Sequence, residues 1–156
     1  MEFSRIRLME HLAVDCPLSL EEFCKAMRQR FGLPDFKYDF ENETEWGLVE
    51  HEGIEYNVSR PYERGTLEEW DGSVPVGCNV GVTLMVSQEC PPSQDAEWSS
   101  AELVTHIGQG LADLLGGRVY HHRSWIQGGK NMTRKRVFHP RPGRAEPPAA
   151  ADRPRH

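Results

Sequence analysis

The chain has 156 residues, 38% of them hydrophobic, and a formal net charge of −6. That length fits one domain with a core of ordinary size. No run of ~18 apolar residues is present, so no membrane-spanning helix is expected, and no apolar export segment follows the start, so a cytoplasmic setting is expected.

The charge is unevenly spread. Residues 130–156 carry eight basic side chains and two acidic ones, while the remainder carries ten basic and twenty-two acidic. The sequence thus reads as an acidic domain of charge −12 followed by a basic tail of charge +6.

A first strand is predicted over Phe3–Val14, where Ile6 and Leu8 alternate with Arg5 and Arg7. Ser19-Leu20-Glu21-Glu22 has the form of a capping box. Leu20, Phe23, Cys24, Met27 and Phe31 then make one helical stripe, ended by Gly32 and Pro34. Acids at the start of that segment, and Lys25, Arg28 and Arg30 near its end, match the helix dipole.

Three extended segments follow. Phe36, Tyr38 and Phe40 alternate with polar residues, and Trp46–Glu50 and Ile54–Arg60 flank a hairpin turn at His51-Glu52-Gly53. Residues 61–75 read as a loop rich in Pro and Gly. The clearest strand runs over 76–86, with Val76, Cys78, Val80, Val82, Leu84 and Val86 on one buried face. Ser99-Ser100-Ala101-Glu102 is a second capping box. The helix it starts has a stripe of Leu103, Val104, Ile107, Leu111, Leu114 and Leu115 and stops at Gly116-Gly117. Arg118–Ile126 reads as the last strand.

The expected order is β-α-β-β-β-β-α-β. Consecutive strands favour an antiparallel meander, and two amphipathic helices need one sheet face to cover. The fold expected is a two-layer α+β sandwich over residues 1–127. Residues 128–156, rich in Pro, Arg and Ala, are expected to be a disordered tail.

Signs of catalysis are few. Gly108-Gln109-Gly110 lies inside a helical pattern, so it is not a dinucleotide fingerprint, and there is no P-loop, HExxH or GxSxG motif. His121 and His122 are adjacent on a strand and point to opposite faces, so one metal is not easily shared between them. His121 alone could meet His51, Cys78 or an acid from another strand. His11, Asp15 and Cys16 lack any sign of an activated thiol, and Cys24 and Cys78 sit on apolar faces, where packing explains them. The four cysteines form no CxxC pair. No cofactor, metal or catalytic residue is expected, and the sequons at Asn42, Asn57 and Asn131 carry no meaning in a cytoplasmic chain.

The acids are more informative. Glu41, Glu43, Glu45, Glu50, Glu52 and Glu55 follow one another with no Lys or Arg between them, and Glu63, Glu68, Glu69 and Asp71 make a second run. Trp46, Tyr56, Tyr62 and Trp70 are interleaved. Such a surface either is a solvated face or steers a basic protein partner and anchors it with aromatic side chains. The candidate partner-binding residues are Glu43, Glu45, Trp46, Glu50, Glu52, Glu68, Glu69, Trp70 and Asp71. A domain of charge −12 repels phosphates, which disfavours nucleic acid as its ligand, and no DxDxDG loop organises the acids for calcium.

These features resemble, in type, the small cytoplasmic immunity proteins that accompany bacterial polymorphic and contact-dependent toxins. The resemblance covers about residues 1–127. It rests on the acidity, the single α+β domain, the absent catalytic motif and the segment Glu41–Glu55 beside Trp46 and Tyr56; Val74–Val82 shares the look. It implies stoichiometric neutralisation of a cognate toxin, one with a basic and possibly nucleic-acid-acting site. Two other readings stay open. One is a secretion chaperone or adaptor with an apolar groove. The other is a small enzyme built on His121 or His122.

Overall fold

The computed structural model describes residues 4–41, 44–61, 77–90 and 96–142. In chain order they form β1 (Ser4–Val14), α1 (Leu20–Phe31), β2 (Lys37–Glu41), β3 (Thr44–His51), β4 (Ile54–Pro61), β5 (Val80–Cys90), α2 (Ala96–Leu115), β6 (Val119–Gln127) and β7 (Lys130–Phe138). The strands make one open sheet of order β2-β3-β4-β5-β1-β6-β7, and every neighbouring pair is antiparallel. Both helices pack on one face, which is the expected two-layer α+β sandwich. No described helix is long and apolar enough to cross a membrane.

The local chemistry explains the elements. At the head of α1 the Ser19 hydroxyl accepts from the Glu22 amide, and the Glu22 carboxylate accepts from the Ser19 amide. The Ser19 amide and hydroxyl together hold the Glu22 carboxyl below the usual carboxylate range. Gly32 ends the helix in the left-handed region, and the Leu33 amide reaches back to the Arg28 carbonyl. Glu52 and Gly53, with φ of 52° and 80°, make the two-residue turn between β3 and β4.

The core lies between sheet and helices. Phe23, Cys24 and Met27 of α1 and Val104, Ile107 and Leu111 of α2 meet Leu12, Val14, Val58, Val80, Val82, Leu84 and Val119 of the sheet. Each fully buried side chain of this kind contributes roughly 1.5–3 kcal/mol relative to exposure. Gly47 lets α1 close on β3, because a Cβ there would stand 3.0 Å from Cys24 Sγ.

Three expectations change. The strand at 76–86 begins at Val80 instead, and Cys78 joins Ala13 and Tyr120 on the sheet's other face, opposite Val80–Val86. Asn79 causes this turn of the chain: its side chain accepts from the Cys16 amide and donates to the Cys16 carbonyl, both at 2.7 Å. The second helix starts at Ala96, so Ser99 lies within it and does not cap it.

The third change concerns the basic segment. Residues 130–138, expected to be disordered, are the edge strand β7, paired with β6 from Lys130 to Phe138. A two-residue turn at Gly128-Gly129, both with positive φ, folds it back as a hairpin. Phe138 is buried against α2. Beyond it, Gln109 donates to the His139 carbonyl at 2.7 Å, and Arg141 grips the buried carboxylate of Asp113 through its backbone amide and its guanidinium. One bulky apolar anchor and one ion pair thus hold a segment whose composition is otherwise that of a tail. Residues from 143 onward lie outside the described residues.

Candidate functional site

The sheet is electrically polarised. Among the described residues, its β2–β3–β4 end carries Asp39, Glu41, Glu45, Glu50, Glu52 and Glu55 against Lys37 and Arg60. Its β6–β7 end, residues 118–141, carries seven Lys and Arg and no acid. Strand alternation then divides the acids between faces. Asp39, Glu41, Glu50 and Glu55 belong to the face without helices, together with Trp46 and Leu48. Glu45 belongs to the helix side.

The individual acids differ in what they do. Glu45 is half-buried and stands 3.5 Å from Arg60 Nη1, so its charge is partly answered within the fold. Glu50 is exposed and lies directly across from Glu55. Like charges at facing positions cost stability, so this pair is not there for the sheet's benefit. Glu52 is exposed at the tip of the turn, 3.7 Å from His51 Nε2. Trp46 is half-buried across from Ser59. Glu43, Glu68, Glu69, Trp70 and Asp71 lie outside the described residues.

Two aromatic side chains at this end were not among the sequence candidates. Tyr38 is 45% exposed and Phe40 71% exposed, both on the helix side of edge strand β2. Tyr38 is tied down by a hydrogen bond to the Cys24 thiol. Phe40 has most of its ring in water, beside Asp39 and Glu41. The alternation Phe36-Tyr38-Phe40 is visible in the sequence and puts the three rings on one face. Only Phe36 is buried there, because α1 does not extend over the edge.

A second constellation lies inside the molecule. Glu10, His121 and Arg123 project from β1 and β6 into the helix-facing layer, each at most 4% exposed. His121 Nε2 donates to Glu10 Oε1 at 2.8 Å, and Arg123 Nη1 donates to Glu10 Oε2 at 3.2 Å. The second ring nitrogen of His121 is buried and makes no hydrogen bond. Of the expected partners for His121, the structure supplies the acid. His51 sits at the far β3–β4 turn, and Cys78 packs on the opposite face. A carboxylate–imidazole pair could shuttle a proton, but these groups are sealed from substrate by the same packing that buries them.

Three of the four thiols are equally sequestered. Cys16, Cys24 and Cys78 are all buried and unoxidised. Burial pushes the Cys24 thiol up to about 12, the reverse of what a nucleophile needs. Among the described residues no group of three or more His, Cys, Asp and Glu side chains could hold a metal ion. The chain matches no known family, no curated protein and no solved structure.

Proposed function

We propose that this protein is a non-catalytic binding protein that neutralises a cognate bacterial toxin with a basic surface, acting in the cytoplasm. The observation that carries the reading is the acidic end of the sheet, where Glu50 is set across from Glu55 beside Glu52 of the turn, with Asp39 and Glu41 on the same face toward the other end of β3. Its self-repulsion is relieved when a cationic surface docks, so part of the cost stored in the free protein returns as affinity. The mechanism is electrostatic encounter, then burial of Trp46, which shares the face of Glu50 and Glu55, as the apolar anchor. An interface of standard size, ~1,600 Å² in total, fits this end of the sheet. The sequestered thiols and the sealed Glu10–His121 pair favour this reading over an enzyme.

The test is co-expression with the reading frame beside this gene. Wild-type protein should restore growth of cells making that product. The variant Glu50→Lys/Glu52→Lys/Glu55→Lys should fold normally by circular dichroism and protect poorly, with an association rate that has lost its salt dependence. A neighbouring product that is harmless, or a triple variant that protects as well as wild type, rejects the proposal.

A further inference from the structure

The helix-free face carries a second chemistry, at the middle of the sheet rather than at its acidic end. Met9 and Met85 are direct cross-strand partners between β1 and β5. His11 follows two positions after Met9 on the same face, and its direct partner on β6 is His122. Two thioethers and two imidazoles therefore occupy one block of three adjacent strands. Facing side chains on neighbouring strands start about 5 Å apart at Cβ, and alternate residues on one strand about 7 Å apart. Flexible methionine arms span such gaps.

One imidazole is already oriented. His11 Nδ1 shares a hydrogen bond of 3.2 Å with the Thr83 hydroxyl. With Nδ1–H as the donor, Nε2 carries the lone pair at the opposite edge of the ring. A ligating histidine is commonly held in this way through its second nitrogen. Met9 is 47% exposed, and His11, Met85 and His122 are half-buried, so an ion could reach the block from solvent.

We propose that Met9, His11, Met85 and His122 form a binding site for a soft monovalent metal ion, copper(I). Thioether sulfur selects soft d¹⁰ ions over Mg²⁺, Ca²⁺ or Mn²⁺, and imidazole suits copper as well. Charge argues in the same direction. Lys135 of β7 faces His122, and a neighbouring cation penalises a divalent ion twice as much as a monovalent one. Glu55 of β4, across from Met85, offsets part of that penalty.

The probe is copper(I) presented anaerobically as its bicinchoninate complex to the full chain. Wild-type protein should withdraw one equivalent, and the ε-methyl NMR signals of Met9 and Met85 should shift as it does so. Met9→Leu/His122→Ala should lower the affinity at least about tenfold with its circular dichroism spectrum unchanged, and Thr83→Val should lower it by about tenfold through loss of His11 orientation. Failure of the wild type to take copper overturns the proposal. So does undiminished affinity in Met9→Leu/His122→Ala, which would assign the metal to the cysteine thiols.

Discussion

Glu10 and His121 stand 111 positions apart in the chain, and their side chains meet at 2.8 Å on the sheet face that α2 covers. The carboxylate also takes Arg123, so a single acid compensates two buried nitrogen bases. Removing the acid leaves both bases in the core without it. Glu10→Ala should therefore destabilise the fold by about 3–5 kcal/mol, the usual cost of breaking a buried ion pair. Replacing the whole set, as in Glu10→Met/His121→Leu/Arg123→Met, should cost little or even stabilise, because desolvation of the Glu10–Arg123 ion pair and of the imidazole is avoided. Urea unfolding of the two variants decides it. A smaller loss in the single variant than in the triple one would refute this account.

The class of fold was legible because its signals are periodic. The α1 stripe, its capping box and the even-numbered run Val80–Val86 each repeat a pattern that burial enforces. The Glu10 cluster was legible in principle: Glu10 falls in phase with Leu12 and Val14, a carboxylate on an apolar face that needs a buried partner. The identity of that partner depends on the pairing of β1 with β6, which no local pattern encodes. β7 was missed for a different reason. Composition averages over a segment, while Phe138 and Arg141 anchor it individually, and their receptors, Gly108 and Asp113, sit on α2. The exposure of Phe40 was equally hidden, since alternation gives a residue's face and not how far the opposite layer extends.

Asp113 gives the fold a pH dependence. Hydrogen bonds from Arg141 and Gln109 hold its carboxyl down at about 2, below the ordinary 3.8, although burial alone would raise it. A group whose folded pKa is depressed stabilises fully above its unfolded pKa and loses that stabilisation as pH falls through the folded value. The contribution should therefore be complete above about pH 4 and vanish toward pH 2. Arg141 is itself half-exposed, so solvent screening weakens the pair, and the effect should be about 1–2 kcal/mol. Asp113→Asn should unfold less steeply between pH 4 and 2 than wild type. Parallel acid-denaturation curves would count against the pairing.

Deleting residues 130–156 should damage the fold and not merely trim it. The deletion strips β6 of one of its two hydrogen-bonded neighbours, empties the Phe138 site and takes Arg141 from Asp113. Loss of a buried Phe alone costs about 3–5 kcal/mol. Deleting only residues 143–156 spares all three features. The first truncation should lower the melting temperature by well over 10 °C or prevent folding, and the second should leave it within a few degrees. Similar melting temperatures for the two would show that β7 contributes little.

Gly108 isolates one of these contacts. A Cβ built there would lie 2.4 Å from the Phe138 ring, inside any tolerable contact, with the ring fixed between α2 and the sheet. Elsewhere in an exposed helix Gly→Ala stabilises by up to about 1 kcal/mol through propensity. Here overpacking should reverse the sign, and Gly108→Ala should destabilise by about 1–3 kcal/mol. Phe138→Leu removes part of the ring and is destabilising in its own right, but it makes room for the new methyl. Gly108→Ala/Phe138→Leu should then be less destabilised than the sum of its single variants, by at least 0.5 kcal/mol or so. Strict additivity in a denaturant cycle would mean that glycine at 108 does not serve to admit Phe138.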